Sequence, residues 1–139
     1  MTGLMRLATA FALINGMLAV VASALASHVL GGSGEAARTA FDVAARMHLI
    51  HSLLMLVIAR WWASESKFSL AASCGFLALG IVLFSISIYA KVMIGDSILS
   101  RFTPLGGLFL MAGWLSPVVA VFDSWRQSSK ADSRSLPSA

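Results

Sequence analysis

Charged residues are scarce in this sequence. Asp, Glu, Lys and Arg make up only 12% of the 139 residues, whereas hydrophobic residues make up 58%, a balance unlike that of soluble domains. No polar stretch is long enough to form a separate soluble catalytic domain. The single cysteine, Cys74, excludes a disulfide framework within one chain. The composition therefore predicts a protein that is embedded in lipid.

Four long apolar runs predict the number of membrane spans. They cover about residues 7–26, 43–63, 68–93 and 105–122, and each is close to the roughly 20 residues that a helix needs to cross a bilayer. The expected fold is all-α, an integral membrane four-helix bundle within a single domain of residues 1–125. Residues 126–139 are rich in Ser, Lys and Arg, which predicts a disordered basic tail on the cytoplasmic side.

The distribution of lysine and arginine indicates how the spans are oriented. The two termini and the connection between the second and third spans share one side, which carries Arg6, Arg60, Lys67, Arg126, Lys130 and Arg134. The other side carries Arg38, Lys91 and Arg101, with Arg46 as a fourth if it is counted. Because basic residues concentrate in cytoplasmic flanks, both termini are expected in the cytoplasm. The net charge of +4 reflects this bias, so no nucleic-acid partner is predicted.

The stretch "ARMHLIHSLLM", residues 45–55, places a cation and two imidazoles at the head of an apolar run. At about 100° per residue, His48 and His51 lie about 60° apart on one helical face. Arg46 lies on a different face, in line with Asp42 one turn earlier. We therefore expect an Asp42–Arg46 ion pair at the outer membrane interface, separate from the histidines.

His28 ends the first apolar run, which predicts that all three histidines occupy one outer-leaflet neighbourhood. The favoured interpretation is an interhelical hydrogen bond from His51 within a polar cluster that includes hydroxyls of Tyr89, Ser85 and Ser87. The alternative is a transition-metal or haem site formed by His28, His48 and His51. A proton or small-solute carrier is disfavoured because no acidic residue falls in the middle of a predicted span.

Four motifs in order resemble the YgdD-like family of small four-span membrane proteins, a family of unknown function from bacterial inner membranes with relatives in animal cells. These motifs are "ASHVL", "FDVAARMHLIHSLLML", "GIVLFSISIY" and "FTPLGGLFLMAGW". The resemblance extends from about Leu7 to Trp114. It implies a multi-pass inner-membrane protein, and it implies no activity.

The resemblance also implies site residues. His28 and His51 fall on the two histidine positions of the family, whereas His48 stands where relatives often have glutamine. The other shared positions are Ser85, Ser87, Tyr89, Thr103, Pro104, Gly106 and Gly107. The expected polar cluster is therefore His28, His51, Tyr89, Ser85, Ser87 and Thr103.

The function expected from these observations is that of a non-enzymatic accessory or assembly component of a larger membrane complex. Its expected partners are the lipid bilayer and a membrane protein or a second copy of the chain. No cofactor is expected. The alternative of a metal- or haem-binding protein would use His28 and His51.

Overall fold

The computed structural model describes residues 2–28, 34–95 and 98–135, and it leaves the side chains at 127, 128 and 130–135 undescribed. The helices are α1 (Gly3–His28), α2 (Glu35–Ser64), α3 (Phe68–Ile81), α4 (Ser87–Ile94) and α5 (Thr103–Ser135). A π-helical turn (Val82–Ile86) joins α3 to α4, and a 3-10 turn (Ile98–Phe102) precedes α5. These ranges contain no strand, which confirms the all-α prediction.

Within the described residues, four helical segments are long and apolar enough to cross a membrane. They are Gly3–His28, Glu35–Ser64, Phe68–Ile94 and Ile98–Arg126. Successive spans run in opposite directions, so the end that carries the α2–α3 connection, residues 65–67, also carries the start of α1 and the end of α5. We call this the hairpin end of the bundle. The predicted four-span architecture is confirmed.

Helix α2 begins before its apolar run. It starts at Glu35, eight residues ahead of residue 43, because the stretch "EAARTAFD" contains no glycine or proline to interrupt it. The sequence around Glu35 predicts this extension beyond the span. The 30 residues of α2 are about 45 Å long, which exceeds the roughly 30 Å of hydrocarbon, and His48 and His51 lie near the middle of the helix.

The end of α5 also differs from the prediction. A disordered tail was expected from residue 126, but the structure continues the helix through Ser135. The sequence from 118 to 135 lacks glycine and proline and contains helix-favouring Arg, Gln, Lys and Ala. The last part of the predicted tail, residues 136–139, lies outside the described residues.

The helices pack mainly in the order α1, α2, α3 and α5. Helix α1 packs chiefly against α2, α5 chiefly against α3 and the π-helical turn, and α2 packs against α3 and α4. Only 28% of the apolar window of the first and fourth spans is buried, compared with 44% and 39% in the second and third. Helices α1 and α5 therefore present most of their circumference to the surroundings.

Glycines allow α5 to approach the third span closely. A Cβ atom at Gly113 would lie 2.6 Å from Leu77 Cδ2, and one at Gly80 would lie 2.9 Å from the Leu110 nitrogen. These separations are shorter than ordinary contacts, so a larger residue would displace the Leu77 side chain at Gly113 and the Leu110 backbone at Gly80. In lipid, such close backbone approach is a main source of helix association.

Pro117 leaves a helical carbonyl without its usual donor. Proline has no N–H, so the carbonyl of Gly113, four residues earlier, receives no backbone bond from position 117. The hydroxyl of Ser73 on α3 donates to this carbonyl at 2.6 Å, and Ser73 is fully buried. An interhelical bond therefore replaces the missing intrahelical one.

We expect Ser73→Ala to lower the free energy of unfolding by about 1–2 kcal/mol, because the Gly113 carbonyl loses its donor in an apolar environment. In a Pro117→Ala background the restored N–H can take over, so the same substitution should cost less than half as much. A double-mutant cycle measured by detergent-induced unfolding tests this coupling. Equal costs in the two backgrounds would contradict it.

Candidate functional site

A chain of hydrogen bonds joins α1, α2 and α4 inside the bundle. The Nε2 atom of His48 lies 2.9 Å from Asn15 Oδ1 on α1, and the Nδ1 atom lies 3.3 Å from the Tyr89 hydroxyl on α4. The Asn15 amide nitrogen donates in turn to the Phe11 carbonyl at 2.9 Å. We call His48, Asn15 and Tyr89 the polar core of the protein.

The direction of each hydrogen bond follows from the groups at its ends. The Phe11 carbonyl can only accept, so Asn15 points its NH₂ group toward Phe11 and its oxygen toward His48. His48 Nε2 must therefore carry a proton and donate it to that oxygen. In the neutral imidazole Nδ1 is then an acceptor, and the Tyr89 O–H donates to it. The geometry thus assigns the Nε2–H tautomer to His48.

The polar core joins three helices, with His48 and Asn15 buried and Tyr89 half-buried. His48 is 2% exposed and Asn15 6% exposed, and Phe41 packs against the Tyr89 ring with 4.5 Å between centroids. The ring nitrogens of His48 and the amide of Asn15 all have partners. Such an arrangement holds helices in register.

His51 does not take the central position predicted for it. Its Nδ1 donates to the Met47 carbonyl on the same helix at 2.7 Å, and its ring meets the edge of Trp114 with 6.3 Å between centroids. The predicted contact between His51 and Tyr89 is absent, and His48 makes it instead. The two histidines are only about 60° apart on α2, so a modest rotation of that helix decides which one faces α1 and α4.

The predicted serine and threonine positions form two smaller contacts. Ser85, in the π-helical turn, donates to the Ala44 carbonyl on α2 at 3.2 Å. Ser87 and Thr103 share a hydrogen bond of 2.7 Å that joins α4 to the start of α5. The π-helical turn adds one residue to the helical repeat. These residues therefore stabilise helix contacts around the polar core, but none of them bonds to His51.

His28 lies far from the other two histidines. It ends α1 and is exposed. Asn15 contacts His48, and His28 follows Asn15 by 13 residues, or about 20 Å along a helix. His51 lies one turn further in the opposite direction. The expectation of one histidine neighbourhood is therefore wrong, because α1 continues for 13 residues beyond Asn15 and carries His28 away from the level of His48.

The separation of His28 from His48 and His51 concerns the alternative of a metal site shared by the three histidines. A shared zinc ion would require nitrogen atoms within about 2.1 Å of the same point, which His28 cannot reach together with His48 or His51. In the described parts of the chain, no group of three or more His, Cys, Asp and Glu side chains is placed to hold a metal ion.

The predicted ion pair between Asp42 and Arg46 is confirmed. The Arg46 guanidinium lies 2.8 Å from the Asp42 carboxylate, and the side chains are 73% and 39% exposed. An exposed pair one helical turn apart contributes only about 0.3–0.5 kcal/mol. It lies on an exposed face of α2, toward the end of the bundle opposite the hairpin end, and it is separate from the hydrogen bonds of the polar core.

Sequence reasoning missed a second polar cluster, at the hairpin end. The Lys67 ammonium contacts the Glu65 carboxylate at 2.7 Å and donates to the Ala120 carbonyl at 2.9 Å and to the Ser124 hydroxyl on α5. Trp61 Nε1 donates to the other Glu65 oxygen at 3.0 Å. The cluster ties the α2–α3 connection to α5. The partners of Lys67 on α5 are 53 and 57 residues away in sequence, so no local pattern indicates the contact with α5.

The Glu65 cluster should respond to acid. The hydrogen bond from Lys67, followed by that from Trp61, holds the pKa of the Glu65 carboxyl below its ordinary value of 4.5. A lowered folded-state pKa stabilises the structure above pH 4.5, and this contribution is lost as the pH falls through the folded-state value. We expect hydrogen-exchange protection of residues 65–67, corrected for intrinsic rates, to fall in that acidic range.

The matched variant for this prediction is Glu65→Gln. It cannot ionise, so its protection at the hairpin should be low already at neutral pH and should not change further in acid. An acid-dependent loss of protection as large as that of the wild type would show that another group is responsible.

Comparison with known proteins identifies the chain at the level of a family. The profile of the family described as "Protein of unknown function (DUF423)" matches residues 22–107, which is more than half of the sequence. The chain belongs to the DUF423 family. The matched region includes His48, His51 and Tyr89 and ends just after Thr103, so it covers most of the polar groups described above. The resemblance inferred from the motifs is thereby confirmed.

Curated relatives support the same assignment to DUF423. A UPF0382 membrane protein of Haemophilus influenzae is 30% identical over 112 residues, covering 80% of this chain and 90% of the relative. YwdK of Bacillus subtilis, also named a UPF0382 membrane protein, is 34% identical over 77% of this chain and 89% of its own. The UPF0382 inner membrane protein YgdD of Escherichia coli K12 is 31% identical over 75% and 80%. No solved structure matches this chain.

Proposed function

We propose that this protein is a non-enzymatic inner-membrane protein that acts as an accessory or assembly component of a larger membrane complex, through a membrane-protein partner or through self-association. Both termini lie in the cytoplasm in this proposal, which the excess of Lys and Arg at the hairpin end supports. The E. coli relative's description as an inner membrane protein supports the location.

The outer face of α5 is the observation that carries the proposal. Four exposed apolar side chains follow one another there at intervals of four, three and four residues, namely Trp114, Val118, Val121 and Trp125. This spacing aligns side chains along a narrow strip of an α-helix and is typical of helix–helix packing seams. We call these four residues the α5 strip. It suits contact with another transmembrane helix.

The closed polar core supports the absence of catalysis. The ring nitrogens of His48 and the amide of Asn15 are engaged with each other, with Tyr89 or with a main-chain carbonyl. A catalytic acid or base must instead reach a substrate within hydrogen-bond distance. The polar groups of this core are therefore suited to holding helices together.

The proposal includes no resident metal or haem. The distance of about 20 Å along α1 between His28 and the level of His48 supports this, since the alternative site needs His28 and His51 to share one ligand. Metal analysis and an absorption spectrum of protein purified without chelators would test it. A stoichiometric transition metal or a Soret band would contradict the proposal.

Affinity purification after gentle solubilisation tests the accessory role. We expect a membrane protein, or a second copy of the chain, to be recovered in stoichiometric amount with the wild type. Val118→Phe together with Val121→Phe should reduce that recovery severalfold by changing the shape of the α5 strip. The matched control is Leu115→Phe with Val119→Phe, which alters exposed residues on another face of the same helix. Absence of any stoichiometric partner, or equal loss with both pairs, would overturn the proposal.

A further inference from the structure

An apolar groove separates α1 from α3 on the side of the bundle. It has a volume of about 490 Å³, and its floor is formed by Met55 and Trp62 of α2. Its walls are formed by Leu4, Leu7, Ala8, Ala10, Phe11 and Ile14 on α1 and by Ala71, Cys74, Gly75 and Ala78 on α3. We call this the α1/α3 groove. The small side chains on α3 keep it open.

The groove has the depth of one leaflet. Its wall on α1 extends from Leu4 to Ile14, which corresponds to about 15 Å along a helix. The hydrocarbon of a bilayer is about 30 Å thick, so the groove spans roughly half of it, on the hairpin side. A partner helix would have to cross the whole bilayer, whereas an acyl chain occupies one leaflet.

The chemical character of the groove lining also favours an acyl chain. The side chains that line the groove carry no charged group, and their only polar hydrogens are the indole N–H of Trp62 and the thiol of Cys74, so a charged headgroup finds no opposite charge inside the groove. A cation lies at its hairpin end, where Arg6 on α1 is exposed and forms no ion pair with the described residues. Arginine extends its guanidinium toward headgroups from such positions, and it is well suited to phosphate.

We propose that the α1/α3 groove binds one acyl chain of an anionic phospholipid from the leaflet on the hairpin side, with Arg6 contacting its headgroup phosphate. The apolar groove contributes affinity for the acyl chain of the lipid, and Arg6 contributes the preference for a negatively charged headgroup. Such a lipid would fill the space between α1 and α3, since α1 packs mainly against α2 and α3 packs mainly against α5.

Gly75 provides a direct way to fill the groove. A Cβ atom at Gly75 would meet no atom within 4 Å, so a larger side chain can enter the groove without clashing with the backbone. The test variant is Gly75→Phe, with Ala78→Leu as a second way of filling the same space. Leu79→Phe is the matched control, because Leu79 is exposed on α3 outside the groove lining.

The full-length protein is placed in nanodiscs of equimolar phosphatidylglycerol and phosphatidylcholine with identical acyl chains, and retained lipid is counted by native mass spectrometry. We expect one retained phospholipid, with phosphatidylglycerol preferred by about fivefold, the effect of one favourable cation near a membrane surface. Gly75→Phe and Ala78→Leu should reduce the retained lipid by at least about fivefold, whereas Leu79→Phe should retain as much as the wild type. Arg6→Gln should retain lipid but lose the preference.

Each contrary outcome overturns a stated part of the inference. Retention unchanged in both groove-filling variants, with helix content preserved by circular dichroism, would exclude the groove as the site. Equal loss in Leu79→Phe would show that the retained lipid lies elsewhere. A phosphatidylglycerol preference that persists in Arg6→Gln would exclude the phosphate contact.

Discussion

Replacing His48 by alanine is expected to lower the free energy of unfolding by about 2–4 kcal/mol, combining a buried cavity with the loss of two interhelical hydrogen bonds. The variant leaves the buried Asn15 Oδ1 without a donor and the half-buried Tyr89 hydroxyl without its acceptor. The loss can be measured by detergent-induced unfolding in mixed micelles.

Two comparisons distinguish the loss of the polar-core hydrogen bonds from the general effect of removing a buried histidine. His51→Ala removes a bond to a carbonyl on the same helix and the ring contact with Trp114, but no hydrogen bond between helices, so we expect a smaller loss, of about 1–2 kcal/mol. Asn15→Ala in the His48→Ala background should add less than it costs alone, because its partner is already gone. Fully additive costs, or a larger effect at His51 than at His48, would contradict the assignment of the polar core.

Replacing Gly106 by alanine is expected to cost about 3 kcal/mol or to prevent assembly of the native bundle, the upper part of the range for overpacked sites. A Cβ atom there would overlap the backbone nitrogen of Phe84 and would lie 2.6 Å from the carbonyl carbon of Leu83. Main-chain atoms cannot rotate away as a side chain can, so α5 must move away from the π-helical turn. The unfolding assay used for His48 measures the cost.

The adjacent glycine, Gly107, provides a control in which the same glycine-to-alanine change is made one residue away. A Cβ atom at Gly107 would meet only the edge of the Phe84 ring, at 4.0 Å, which is an ordinary contact. Gly107→Ala should therefore be neutral or stabilising by up to about 1 kcal/mol, since alanine favours the helix over glycine. A comparable loss from both substitutions would show that the close contact at Gly106 is not the cause.

Composition and hydropathy were sufficient to predict the fold class. Four apolar runs of the right length can satisfy their backbone groups in lipid only as helices, and the ends of the third predicted run lie within one residue of the observed segment Phe68–Ile94. The Asp42–Arg46 pair was also predictable, because partners one turn apart on the same helix meet regardless of tertiary structure.

The centre of the polar site was not predictable in the same way. The prediction favoured His51, because the resemblance places His51 on a histidine position of the family and His48 where relatives often have glutamine. The two side chains differ by only about 60° of helix rotation. The rotation of α2 is fixed by its contacts with α1, with α4 and with the π-helical turn. No local pattern in "GIVLFSISIY" indicates that this turn is π-helical. Asn15 provided a usable signal, because a lone amide in an apolar span requires a partner.

The most direct test of the polar core is the protonation of His48 in lipid bilayers, observed by solid-state NMR of protein labelled with ¹⁵N at histidine. The structure predicts a proton on Nε2, an unprotonated Nδ1 that accepts from the Tyr89 hydroxyl, and a through-space contact between His48 Nε2–H and the Asn15 side chain. A His48 ring with its proton on Nδ1, or one without contact to Asn15, would contradict it.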